Sequence, residues 1–198
     1  MTIKPFSEAC EENKDPILQV IEPLLTQCQT VLEIGSGTGQ HAVYFAQNLP
    51  HLQWHTSDVL ANHAGIQQWL TAAALPNTHA PLCLDVLHDP FPTLSVDAVF
   101  SANTTHIMGW DAVQALFAGV GHLLPQGGLF ILYGPFNYGG QFTSESNARF
   151  EQWLKARDPQ SGIRDFDDLN RLANAAGMTC LHDFTMPVNN RILVWQRC

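Results

Sequence analysis

Seven consecutive residues, Glu33-Ile34-Gly35-Ser36-Gly37-Thr38-Gly39, constrain the fold of this chain more than any other stretch. They follow the apolar and β-branched run Thr30-Val31-Leu32. They lead into a helix-period segment in which Ala42, Phe45, Ala46 and Leu49 share one face. A strand, a glycine-rich turn and a helix in that order form a corner that cradles a nucleotide. Glycines let the backbone approach a ligand closely, and the N–H groups of the turn and helix N-terminus offer hydrogen-bond donors.

Two ligands compete for such a corner. A dinucleotide fold requires Gly-x-Gly-x-x-Gly, with the third glycine packing helix against strand. Here the spacing is Gly-x-Gly-x-Gly, and Gln40 stands where that third glycine belongs. Glu33, two residues before the first glycine, would repel a pyrophosphate but suits a ligand with a positive end. S-adenosylmethionine (SAM) carries both an ammonium and a sulfonium. The corner resembles the first motif of the class I SAM-dependent methyltransferases, so Glu33, Gly35, Ser36, Gly37, Thr38 and Gly39 are the candidate cofactor contacts. A glycine turn with no ligand is the plainest alternative. An NAD(P) reductase is further disfavoured because Tyr44, Tyr133 and Tyr138 each lack a lysine four residues on.

The rest of the chain alternates strands and helices. An amphipathic helix is predicted over residues 16–28, with Pro16 in its first turn and Ile17, Val20, Ile21, Leu24 and Cys28 on one face. Strands are predicted at 52–56, 81–85, 98–102 and 129–133, with helices around Ile66 to Ala73 and Val113 to Leu124. Two more helices follow at 147–157 and 165–176; Asp165 and Asp168 are candidate caps for the second, which Gly177 closes. Strands at 179–185 and 191–195, joined by Pro187-Val188-Asn189-Asn190 with no room for a helix, must be antiparallel. The expected fold class is α/β: a Rossmann-like class I methyltransferase fold. Its seven-stranded, mostly parallel sheet ends in a C-terminal antiparallel hairpin and has helices on both faces. One domain spanning 1–198 is expected, with residues 1–28 as an N-terminal helix and lid segment.

Composition narrows the partners. The 198 residues carry a net charge of −9 and no cluster of Lys and Arg, which argues against nucleic acid because phosphate binding needs a basic footprint. Five scattered cysteines lack any Cys-x-x-Cys pair, so neither a zinc site nor a disulfide framework is expected. No signal-peptide core and no long apolar run is present, and a cytoplasmic protein without membrane contact is expected.

In an open α/β sheet the ligand lies beyond the carboxyl ends of the strands. Asp58 ends the second strand, where an acid can accept both ribose hydroxyls; it equally suits the N-cap of the next helix. Asp85 ends the third, and the class I resemblance implies adenine contact there, with Val86 beside it; capping a turn before His88-Asp89-Pro90 is the alternative. Beyond the fourth strand, Asn103 is a candidate cofactor contact and His106 the candidate base, since imidazole titrates near neutral pH. A packing or capping role suits His106 as well, because in-line methyl transfer depends mainly on holding donor and acceptor aligned. His41 reads as helix-start packing.

Further segments are similar to the methyltransferase-like 26 family, also described as domain of unknown function 938. They are Asn13-Lys14-Asp15-Pro16-Ile17-Leu18, Ser36-Gly37-Thr38-Gly39-Gln40-His41-Ala42, Tyr133-Gly134-Pro135-Phe136, Thr143-Ser144-Glu145-Ser146-Asn147, Gly162-Ile163-Arg164-Asp165 and Met186-Pro187-Val188-Asn189-Asn190. The chain departs from that family at Glu12, where an arginine is usual, and in the looser loop from Thr104 to Trp110. The resemblance implies a methyltransferase that turns SAM into S-adenosylhomocysteine on a small-molecule acceptor at oxygen or nitrogen. A SAM-binding protein that acts through a partner, without transfer, is the alternative. Tyr138, Arg164, Asn189 and Asn190 lie on loops above the sheet and are candidate acceptor contacts; Arg164 with Asp165 equally suits an ion pair at a helix start.

Overall fold

The computed structural model describes residues 4–198, so residues 1–3 of the expected N-terminal segment lie outside the described residues. Seven strands form one sheet: β1 (Thr30–Ile34), β2 (Gln53–Asp58), β3 (Thr78–Cys83), β4 (Ala98–Ala102), β5 (Leu129–Gly134), β8 (Met178–Thr185) and β9 (Arg191–Arg197). Two short strands, β6 (Phe136–Asn137) and β7 (Arg164–Asp165), pair separately above it. The sheet order is β3-β2-β1-β4-β5-β9-β8. β1 to β5 run parallel, while β9 is antiparallel to both β5 and β8. The expected sheet and terminal hairpin are therefore present.

Strand parity sorts the core into two layers. In β5, Leu129, Ile131 and Tyr133 face the layer built on α1 (Glu8–Leu24), α2 (Gln40–Asn48) and α3 (His63–Ala73). Phe130 and Leu132 face the layer of α4 (Trp110–Leu123) and α6 (Phe166–Ala175). Both faces are thus buried, which is why this strand reads as an unbroken apolar run. No described helix is long and apolar enough to cross a membrane.

Two elements shift most from expectation, α1 and β3, and α1 also ends at Leu24 rather than at residue 28. α1 begins at Glu8, with the Ser7 hydroxyl accepting the Cys10 N–H, and Pro16 lies inside it rather than in its first turn. The missing N–H of Pro16 frees the carbonyl of exposed Glu12, which water can satisfy. β3 spans residues 78–83 rather than 81–85 because Asn77 anchors its start: the Asn77 amide donates to the Ala46 and Leu52 carbonyls, each at 2.9 Å. Pro81 is tolerated because β3 is an edge strand. At the α6 start, Asp165 caps as expected by accepting the Asp167 N–H, whereas Asp168 instead pairs with Arg171.

Candidate active site

The chain steps from β3-β2-β1 across to β4 and β5, so the carboxyl ends of β1 and β4 diverge into a crevice, the usual ligand position in such sheets. The glycine corner forms one wall. Gly35, Gly37 and Gly39 all have positive φ, at 76°, 57° and 89°. A Cβ on Gly35 would lie 2.3 Å from Thr104 Cγ2, so that glycine is required by packing; a Cβ on Gly37 would meet nothing within 4 Å.

Four amides of this corner, those of residues 35, 36, 37 and 39, are taken by protein acceptors, unlike the ligand-facing donors expected. Gly35 and Ser36 N–H both donate to the Ser57 carbonyl at 3.0 Å, Gly39 N–H donates to the Ser36 carbonyl, and Gly37 N–H donates to Asp58 Oδ2 at 2.7 Å. The reason is local. β2 ends beside the turn, and Ser57 also ties its hydroxyl to the Glu33 carbonyl. Asp58 is buried at the end of β2, where Oδ1 accepts from Val59 N–H and the Asn62 amide. It shapes the loop and remains positioned at the crevice.

Glu33 does not open into the crevice. Strand parity turns it into the core, only 1% exposed, with Trp54 Nε1 donating to its carboxyl at 3.1 Å. Burial pushes its pKa up to about 7. His41 and His106 are also buried, and desolvation holds each down at about 4.

These shifts have opposite signs in stability. Between its ordinary 4.5 and about 7, Glu33 holds more proton in the folded state than in the unfolded, so its contribution is lost as pH rises through 7. The two histidines hold less proton when folded, so their contribution is present above 6.5 and lost as pH falls toward 4. Glu33→Gln should therefore gain Tm relative to the parent protein on going from about pH 5 to pH 8. Parallel Tm profiles would show that Glu33 is ionised in the fold.

Asp85 lies two residues beyond β3, in a turn that it caps by accepting the Leu87 N–H at 3.0 Å; Val86 follows it, half-buried. Asn103 ends β4 at φ 58°, a left-handed conformation that asparagine tolerates better than most residues. Its neighbour His106 packs edge-on against Phe150, with ring centroids 5.4 Å apart.

Beyond β4 and β5 opens a cavity of about 780 Å³, roofed by α1, α5 (Glu145–Arg157) and the β8–β9 turn. Of the sequence candidates, Asn103, His106 and Asn190 line it; Tyr138, Arg164 and Asn189 do not. Arg164 is a clamp on the loop after β4: Nε donates to the Thr105 carbonyl at 3.0 Å, and Nη2 donates to the carbonyls of Met108 and Gln160. It makes no ion pair with Asp165, whose carboxylate accepts instead from Gly140 and Asp167. Tyr138 donates to Asp183 and stacks on Phe166. Asn189 ties the hairpin turn to α5 through Ser146 and Asn147.

Sequence reasoning missed Tyr133 and Asn13 as lining groups. The Tyr133 hydroxyl accepts from the Asn190 amide at 2.9 Å and also bonds Asn13, whose Oδ1 meets His41 Nε2 at 2.7 Å. The signal was present: a phenol closes an otherwise apolar strand.

Residues 4–197 match a family profile described as protein of unknown function, DUF938. The fold is similar to an O-methyltransferase family protein from Burkholderia thailandensis, at TM-score 0.78 and 14% identity over 96% of this chain and 59% of that one. It is similar to human N-acetylserotonin methyltransferase in complex with SAM, at TM-score 0.80 and 15% identity over 96% of this chain and 53% of that one. PigF with S-adenosylhomocysteine gives TM-score 0.81 and 15% identity over 94% and 56%. The chain thus spans a little over half the length of these proteins.

Proposed function

The chain belongs to the DUF938 family, and from that premise we propose that it is a SAM-dependent methyltransferase acting on a small-molecule oxygen or nitrogen acceptor. The observation that carries this reading is the closure of the glycine corner. A pyrophosphate needs loop N–H donors, and the amides of residues 35, 36, 37 and 39 already have protein acceptors. What the corner offers instead is open space over Gly37 beside a carboxylate, Asp58, which suits ribose hydroxyls. The likeness to methyltransferase-like 26 proteins points the same way. So do the ligands of the similar structures, SAM and S-adenosylhomocysteine.

In this reading Gly35, Ser36, Gly37, Thr38 and Gly39 would hold the cofactor's amino-acid portion, Asp58 its sugar, and Asp85 and Val86 its base. Asn103 stands between cofactor and acceptor. When bound, SAM would supply an electrophilic methyl group to the acceptor and would be left as S-adenosylhomocysteine. The cavity past β4 and β5 holds the acceptor in line, which is the main source of rate. His106 is neutral at physiological pH and accepts a hydrogen bond from the acceptor, while the released proton passes to water. His106→Ala should lower kcat roughly tenfold, the worth of one such bond, and leave SAM affinity unchanged. The kcat–pH profile of the parent protein should show no inflection near 6.5. An inflection there would make His106 an ordinary titrating base.

Thermal shift with SAM, S-adenosylhomocysteine and NAD tests the ligand. Stabilisation by NAD alone would overturn the proposal. Tight binding of S-adenosylhomocysteine with no methyl incorporation into any acceptor would favour the partner-acting alternative. The reading also expects no nucleic-acid or membrane partner and a cytoplasmic location, consistent with the net charge of −9.

A further inference from the structure

The cavity beyond β4 and β5 has a chemistry that narrows its occupant. Its walls are rigid and apolar: the rings of Phe150 and Trp153 stack at 5.6 Å and 17°, and Pro16, Pro135 and Pro187 add flat surfaces. Its mouth exposes apolar side chains that a soluble surface normally hides, with Val188 80%, Ile107 57% and Trp153 50% exposed. Val188 also sits at φ 58°, a costly conformation for a β-branched residue. The turn holds it there because the neighbouring Asn189 is bonded to α5 on both its carbonyl and its amide.

Apart from Glu12, Arg157 and Asp158, the polar lining carries no charge. Four asparagines, Asn13, Asn103, Asn147 and Asn190, and the Tyr133 hydroxyl line the cavity together with neutral His106. Asn147 is committed to Thr143 and the Asn189 carbonyl, and Tyr133 and Asn190 are bonded to each other, which leaves Asn103 and His106 as the groups suited to a ligand hydroxyl or amine. The charged lining consists of two carboxylates, Glu12 and Asp158, against one guanidinium, Arg157. That guanidinium lies 4.6 Å over the Trp153 ring, so it is engaged with the aromatic face.

We propose that the methyl acceptor is an uncharged, planar ring compound: the ring lies against Phe150 and Trp153, and its hydroxyl or amine points to Asn103 and His106. This rests on the methyltransferase reading above. An anion of the same shape would meet two carboxylates against a single guanidinium already engaged with Trp153, a net negative lining, and the volume of about 780 Å³ suits a molecule of a few fused rings.

The test uses the full chain saturated with S-adenosylhomocysteine, so that binding is read without turnover. Calorimetric titration compares 2-naphthol, neutral at pH 7, with 6-hydroxy-2-naphthoate, which has the same ring system with an added carboxylate. The naphthol should bind, and the carboxylate should bind at least about tenfold more weakly. Trp153→Ala should weaken naphthol binding by about tenfold and leave S-adenosylhomocysteine affinity unchanged. With SAM in place of its product, labelled methyl should appear on the naphthol oxygen. If S-adenosylhomocysteine binds but the naphthol does not, or the two probes bind alike, or Trp153→Ala changes nothing, this inference is overturned and the methyltransferase reading stands. Failure of S-adenosylhomocysteine itself to bind overturns both.

Discussion

Asp58→Ala should weaken SAM binding by about 100-fold or more, measured by titration calorimetry. Hydrogen bonds to a charged group contribute about 1.5–3 kcal/mol each, and a ribose presents two hydroxyls to this carboxylate. The structure adds a second route to the same loss. Asp58 Oδ2 accepts the Gly37 N–H and Oδ1 accepts from Val59 and Asn62, so alanine also releases the turn that shapes the cofactor's seat. Asp58→Asn separates the two contributions. The amide keeps one acceptor oxygen and the side chain's size but sets an NH2 against one of the N–H donors, so its affinity should fall between the parent and Asp58→Ala. Unchanged affinity in both variants would place the ligand elsewhere.

Gly37→Val should abolish detectable SAM binding while the protein stays folded. The added side chain meets no protein atom within 4 Å of its Cβ, so it projects into the space assigned to the ligand. Its cost to the fold comes from φ 57°, which penalises an L-residue by about 1–2 kcal/mol and lowers Tm by a few degrees in a chain of this size. Gly35→Ala is the informative contrast. There a Cβ would sit 2.3 Å from Thr104 Cγ2, so the loss should appear first in stability. Circular dichroism melts beside ligand titration read the two effects apart. Full SAM affinity in Gly37→Val would remove the cofactor from this loop.

Local patterns carried much of the fold. The alternation of apolar strands with amphipathic helices is written residue by residue, and the tight join at Pro187-Val188-Asn189-Asn190 forces an antiparallel pair. The errors arose where a distant contact overrides a local cue. Pro16 reads as a helix start, yet the Ser7 cap places that start two turns earlier. Arg164 beside Asp165 reads as an ion pair or a pocket cation, yet its guanidinium is occupied by carbonyls of the loop after β4 and of residue 160. His106 reads as a base near neutrality, and burial takes that property away.

What the sequence determined by itself is the sheet, its hairpin and the glycine corner, because strand period, helix period and turn chemistry act between near neighbours. What only the tertiary structure decided is the cavity, and with it the closure of the corner's amides. Asn13, Asn103, Tyr133, Asn147 and Asn190 come from five separate segments and meet beyond the carboxyl ends of β4 and β5. No local pattern encodes such a meeting. It follows from which strand ends the topology sets side by side and from which buried groups must find partners there.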